Sequence, residues 1–380
     1  MSQSLFKHVR VSGITAVVPE QVINIDDEIA FFNNDAKLLE RNKKILGLGT
    51  RHVADDRTTN ADLCEAAAND LVAMLGIDRE TIDAVIVASA SHDYHYPASA
   101  CVLHGRLGLA ENCAAFDIAG LACSAYVHAL WLGHSLVSGN AAKRCLVLAG
   151  DIVSRHSDRR NRNSNMLFGD AGTATLLERT DEDHCAWFDT GTRGSGWDQL
   201  IAPAGGYALP VREDIASFET TDAAGNVWHL WDDIMKGMGV FKFTTDVGPR
   251  GIRDILAFSG KTINQIDYFA FHQANKQIVR TVAGYAGLPK DKYSTETFSR
   301  YANCSSAAVT MDLCRQLKEH PAKMVCLATF GVGLSWGFAV LDLEHTRIGG
   351  IRLYQTPPEK PTREQQIAHW IAHFKGESDA

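Results

Sequence analysis

The sequence predicts an α/β protein built from two similar halves, and three observations carry that expectation. Apolar runs of strand length, such as residues 82–89, alternate with stretches of helical length, the pattern of sheets covered on both faces. A helix over 61–75, a turn at Gly76 and a strand from Ile82 recur as a helix over 248–259, a turn at Gly260 and a strand over 266–272. Residues 143–150 likewise match 323–331, and 168–177 match 331–341, a self-similarity at a shift of roughly 180 residues.

The first half is expected to span 1–180 and the second 181–345, joined by the polar stretch 178–184. Residues 346–380 then read as a linker and an amphipathic helix. Thr356-Pro-Pro-Glu-Lys-Pro361 is the linker, and Ile367, Trp370, Ile371 and Phe374 follow at helical spacing behind a Thr362-x-x-Gln365 cap. That helix is expected to dock on the body or on a partner subunit.

Composition narrows the function classes. Of 380 residues, 46% are hydrophobic and 22% charged, which is ordinary for a globular protein. A net charge of −8 offers no basic face for nucleic acid, so no such partner is expected. No apolar run approaches a membrane span and no signal peptide is visible, so a cytoplasmic protein is expected. Nine scattered cysteines without Cys-x-x-Cys spacing argue against a disulfide framework or a zinc site. His92 and His95 read as polar loop residues, with no metal expected, and 191–196 lacks the context for NAD.

One of those cysteines stands apart. In Phe116-Asp-Ile-Ala-Gly-Leu-Ala-Cys-Ser124, small residues run into a stretch of helical length that ends near Ser138 and Gly139. Cys123 would sit at the start of a helix that is apolar nearly all round. There the dipole is expected to favour thiolate and lower the pKa. His272 closes a buried strand in the second half, and Asn303 lies in a small-residue loop at a helix start. Taken singly, each has an ordinary structural reading: an inert buried cysteine, a core histidine, a turn residue. If the halves pack pseudo-symmetrically, the three surround one cleft, and a Cys–His pair points to acyl transfer.

The set resembles the β-ketoacyl-ACP synthase III family of the thiolase superfamily. The resemblance covers roughly residues 5–343 and rests on nine segments in the family's order: Gly47-Leu-Gly-Thr-Arg-His52, Tyr96-Pro-Ala-Ser-Ala-Cys101, Ala115 to Ser124, Phe168-Gly-Asp170, Pro203-Ala-Gly-Gly206, Val240-Phe-Lys-Phe243, His272-Gln-Ala-Asn275, Tyr301-Ala-Asn303 and Phe330-Gly-Val-Gly-Leu-Ser-Trp-Gly337. It implies a duplicated five-layer αβαβα thiolase-like fold. It further implies that Cys123 accepts an acyl group from a CoA or acyl-carrier-protein thioester. Backbone N–H groups of Cys123 and of the turn near Val332 would hold the oxyanion. His272 and Asn303 would stabilise the enolate of a malonyl thioester as it loses CO2, with Asn275 supporting their loops. Arg162 matches the family's nucleotide-contacting arginine, Phe330 borders the substrate, and Tyr96 is the residue to reach across a homodimer. No cofactor beyond the thioester substrates is implied.

Departures from the pattern narrow this further. The spacing from Asp117 to Cys123 is one residue longer than the family's usual, marking the place where this chain should differ from ordinary fatty-acid initiation. Arg41 and Ile45 stand where other members carry a Trp and an Arg that hold the CoA adenine, and Gln277 replaces a basic residue. A thiolase needs a second cysteine in the terminal turn, and 329–333 has none. The alternatives are transfer to a non-malonyl acceptor, a partner subunit of a heteromeric synthase, and a serine hydrolase using Ser335 of Gly333-Leu-Ser-Trp-Gly337.

Overall fold

The computed structural model describes residues 2–375. Its main strands are β1 (Ser2–Lys7), β2 (Val9–Pro19), β3 (Ala84–Ser89), β4 (Ala114–Ala119), β5 (Arg144–Asp151), β6 (Ala171–Arg179), β7 (Cys185–Thr192), β8 (Tyr268–Phe271), β9 (Met324–Gly331), β10 (Ser335–Asp342) and β11 (Arg347–Tyr354). The principal helices are α1 (Ala36–Leu46), α2 (Asn60–Leu75), α3 (Ser99–Leu107), α4 (Ala125–Ser138), α5 (Gly237–Ser259), α6 (Lys276–Tyr285), α7 (Glu296–Tyr301), α8 (Ala308–Glu319) and α9 (Arg363–Phe374). Among the described residues no helix is long and apolar enough to cross a membrane.

Two mixed sheets form, in the orders β11-β2-β6-β5-β3-β4 and β1-β7-β10-β9-β8. The parallel pair β3–β5 of the first sheet has its counterpart in the parallel pair β8–β9 of the second, and each continues into an antiparallel partner that follows it in the chain, β6 or β10. The sheets exchange terminal strands: β1 pairs with β7 in the second, while β11 runs parallel to β2 in the first.

Helices α4 and α8 lie between the sheets, and for α4 this explains a composition that is apolar nearly all round. Tyr126, Val127, Leu130 and Val137 of α4, with Val309, Met311 and Leu313 of α8, share one buried cluster with residues of both sheets. A helix met by a sheet on each face has little surface left for polar residues, and the charged residues of α8 are either bonded within the core, as Asp312 is, or gathered toward its C-terminal end. The outer face of the first sheet is covered by α2 and α3, and that of the second by α5 and α6. The result is the five-layer αβαβα order.

Two local expectations are corrected and a third is narrowed. Helix α5 begins at Gly237 rather than at Gly248 and carries Pro249 inside it. Gly248 and Pro249 read as a start signal, yet Phe243, Thr244 and Val247 continue the buried face, and their burial outweighs the amide hydrogen bond that proline cannot make. Residues 347–354, expected as linker, form β11; the bulge between Ile348 and Ile351 interrupts the alternation that would have marked a strand. Helix α9 forms behind its Thr362–Gln365 capping box with Ile367, Trp370 and Ile371 about half exposed and Phe374 largely so, which narrows its two expected docking places to a partner subunit. The chain leading to it is tied down through Thr356 to Thr58 and Lys360 to Asp62.

Candidate active site

The first half presents Cys123 on a tight turn. Gly120 (φ 73°) and Ala122 (φ 44°) take the left-handed conformation, Ala122–Ser124 make one turn of 3₁₀ helix, and α4 follows directly. Small residues are required because the end of β9 presses on this turn. A Cβ on Gly331 would fall on the Leu121 carbonyl oxygen and the Ser124 amide.

Cys123 is 8% exposed, and its Sγ lies 3.8 Å from Ser305 Oγ. Burial pushes the thiol up to about 12, opposed in part by hydrogen bonds from Ser305 and Asn303. This overturns the expected depression at a helix start. Removing a thiolate from water costs more here than the helix end returns.

The second half supplies the other groups. His272 follows β8 directly, and its amide donates to Ala328 O at 2.8 Å. Burial lowers the imidazole to about 3, so it is neutral, and its Nδ1 has no partner among the described residues. Asn303 bridges to the first half through its own amide to Leu167 O (2.9 Å) and its carbonyl, which accepts from Gly169 N (3.1 Å). Its Oδ1 accepts from Ser305 N at 2.9 Å. That leaves the amide NH2 as the donor for other partners. Asn275 caps α6 by accepting from Ile278 N at 2.9 Å.

Two cavities meet at Cys123. The larger, of about 510 Å³, is lined by Cys123, His272, Asn303, Asn275 and Phe330 among mostly apolar neighbours. The smaller, of about 190 Å³, has Cys123, Ser305 and Val332 in its lining. The structure thus gathers six of the eight residues singled out in the sequence. It does not bring Tyr96 or Arg162 to either cavity. Tyr96 is 78% exposed, and Arg162 donates to the carbonyls of Phe31 (3.2 Å) and Ala224 (2.7 Å).

Three structural groups escaped the sequence reading. Ser305 touches the thiol. Asp151, fully buried, accepts at one oxygen from Ser89 Oγ, Ser91 Oγ and the amides of Ala90 and Ser91, and at the other from Ser306 N, so it ties the two halves together behind the site. Ser124 and Ser335 share a hydrogen bond of 2.5 Å, and Ser335 Oγ also donates to Val332 O at 2.6 Å, joining the cysteine turn to the glycine-rich turn. Only the internal repeat could have signalled Ser305, as the counterpart of Ala122. Ser335 opens a strand rather than a helix and its hydroxyl is engaged in these bonds, which removes the nucleophile-elbow reading. His92, weighed as a metal ligand, has its Nδ1 3.0 Å from Ser99 Oγ.

Known proteins share this arrangement. Residues 116–196 match the family profile described as 3-Oxoacyl-[acyl-carrier-protein (ACP)] synthase III, and residues 256–343 match its C-terminal counterpart. A beta-ketoacyl-[acyl-carrier-protein] synthase III of Rhodopirellula baltica is 30% identical over 88% of this chain and 98% of its own. One from Clostridium perfringens is 32% identical over 78% and 88%, respectively. The crystal structure of a 3-oxoacyl-(acyl-carrier protein) synthase from Burkholderia xenovorans LB400 superposes with a TM-score of 0.84, at 34% identity over 93% of this chain and 99% of that one. With fold, repeat and profile in agreement, the chain belongs to the 3-oxoacyl-[acyl-carrier-protein] synthase III family, the condensing acyltransferases of the thiolase superfamily.

Proposed function

We propose that Cys123 is the residue acylated, and that the acyl-cysteine is condensed with a malonyl thioester by decarboxylation. The observation that supports this most is the position of Cys123 between two cavities, with His272 and Asn303 in the larger one only. An acyl thioester enters the larger cavity and the sulfur of Cys123 attacks its carbonyl. The amides of Cys123 and Val332 hold the oxyanion, and the thiol proton leaves with the departing thiol. Because the resting thiol is protonated, proton loss accompanies attack rather than preceding it.

The malonyl thioester then occupies the space vacated. Its carboxylate leaves as CO2, and the electron pair of the broken bond becomes an enolate whose oxygen accepts from the neutral His272 and the Asn303 amide. A neutral imidazole suits that task, since it donates a hydrogen bond without protonating the carbanion. The carbanion attacks the acyl carbon, Cys123 leaves and takes up a proton, and a 3-oxoacyl thioester results. The carriers are acyl-carrier protein or CoA, and the working unit is a homodimer in which Tyr96 of each chain faces the other.

Intact-mass measurement after incubation with acyl-CoA and acyl-carrier thioesters tests this. A single acyl adduct is expected on the wild type and none on Cys123→Ala. An adduct that persists in the variant overturns the assignment.

A further inference from the structure

The smaller cavity has a lining that a purely aliphatic chain does not complement. On the reading above, the larger cavity must admit the incoming thioester and then the malonyl acceptor. The chain left on Cys123 therefore has the smaller cavity to occupy. At about 190 Å³ it suits a short acyl group, on the order of six non-hydrogen atoms. Ile152, Val153, Leu200 and Ile201 give it apolar walls, yet His156 and Asp233 also line it.

Those two form a pair. His156 Nδ1 lies 3.3 Å from Asp233 Oδ1, with the side chains 43% and 24% exposed, and the His156 amide donates to Val153 O at 2.9 Å. The carboxylate raises the imidazole above its ordinary value. With Nδ1 turned to Asp233, Nε2 remains as the ring's other polar atom, an acceptor in the neutral ring and a donor in the protonated one. Covering this pair with methylene groups would strip its water and return nothing.

The charge of the surroundings narrows the choice. Asp151 lines the same cavity, but its oxygens already accept from Ser89, Ala90, Ser91 and Ser306. An acyl chain ending in carboxylate would face both Asp151 and Asp233 with His156 as its one partner. A hydroxyl can bond to His156 Nε2 in either form of the ring, as donor or acceptor, and adds no charge beside Asp233. We infer that the acyl group carried by Cys123 is a short hydroxyacyl chain, its hydroxyl held by the His156–Asp233 pair.

The test is a competition between 3-hydroxybutanoyl-CoA and butanoyl-CoA at equal concentration, read as the ratio of the two adducts, one oxygen apart in intact mass. The wild type is expected to favour the hydroxyacyl adduct by about tenfold or more, since a site built to bond a hydroxyl rejects the analogue lacking it. His156→Leu should reverse the ratio, and Asp233→Asn should reduce it. Butanoyl loading by His156→Leu shows that the variant is folded. If that variant does not load, His156→Asn is read instead. A wild-type ratio at or below one, or a ratio unchanged in the variants, overturns the hydroxyacyl assignment while leaving Cys123 acylation standing. If neither thioester nor any other acyl donor loads, the acylation reading itself has failed, and this inference with it.

Discussion

The two helix-start turns that meet at the site are built alike and used differently. In the first half, Ala122 at positive φ opens the 3₁₀ turn Ala122–Ser124, which runs into α4. In the second, Ser305 (φ 49°) opens Ser305–Ala307, which runs into α8. Position for position, Cys123 corresponds to Ser306. Yet Cys123 lines both cavities, whereas Ser306 lines neither and its buried hydroxyl has no partner among the described residues. Duplication thus supplied one backbone device twice. Only the first copy opens the side chain at this position to a cavity, while the second places Asn303, which lines the larger cavity, just ahead of its turn.

The sharpest way to break this comparison is to truncate both equivalents. Cys123→Ala should abolish acyl loading and lower turnover by on the order of 10³-fold or more, as loss of a nucleophile does elsewhere. Ser306→Ala should load normally and unfold within about 1 kcal/mol of the wild type, because it removes a hydroxyl that makes no hydrogen bond among the described residues. Mass spectrometry and urea unfolding read the two outcomes. A loading defect in Ser306→Ala would show that the second turn acts on the first reaction.

Removing the acceptor-side groups separates the half-reactions. His272→Ala or Asn303→Ala should slow condensation by on the order of 10²–10³-fold, the usual loss when one donor to a developing oxyanion goes. Acyl loading should remain close to wild type. Loss of loading in either variant would mean that the two turns do not divide the labour as described.

The protonation of Cys123 gives a third test. With burial holding the thiol up to about 12, its thiolate fraction is small at neutral pH and should rise about tenfold per pH unit between pH 7 and 9. Iodoacetamide alkylation of Cys123, followed by mass, should therefore climb across that range without levelling. A plateau below pH 8 would restore the depressed pKa that the helix start alone predicts.

How much of this was legible in the sequence follows from the kind of signal each feature leaves. Fully buried strands such as β3 and β5 read directly as apolar runs, and the helical length after Cys123 matched α4 closely. Repetition paired the halves and so brought Cys123, His272 and Asn303 together. Signals weakened where one residue carried two meanings: Pro249 imitates a helix start inside α5, and Gly349 and Gly350 break the pattern of β11. Desolvation leaves no local mark at all. The raised thiol of Cys123 depends on how both sheets close over the turn, and Ser305 and Asp151 matter through partners that are distant in the chain.

The last contrast lies one helix turn further in. The position in α4 that corresponds to Asp312 of α8 is Ala129, and both are fully buried. Asp312 accepts from Tyr268 of β8 (2.8 Å) and from Thr297 of α7 (2.6 Å), joining the strand that ends at His272 to the helix that leads to Asn303. The cysteine turn has packing at this point where the asparagine turn has an acid. Burial raises that acid to about 7, against the bonds from Thr297 and Tyr268 and the charge of Arg315. The folded state therefore holds the proton that the unfolded chain releases near pH 4. Between the unfolded value and about 7 the native protein binds more protons, so this group's contribution to stability falls as pH rises, by at most about 1.4 kcal/mol per pH unit. Asp312→Asn keeps an accepting oxygen and removes the titration. Urea unfolding of wild type and variant from pH 5 to 8 should show the variant gaining relative stability as pH rises, with acyl loading unchanged. Parallel pH profiles would mean that Asp312 stays ionised in the folded protein and that the tie between the two loops is a plain hydrogen-bonded carboxylate.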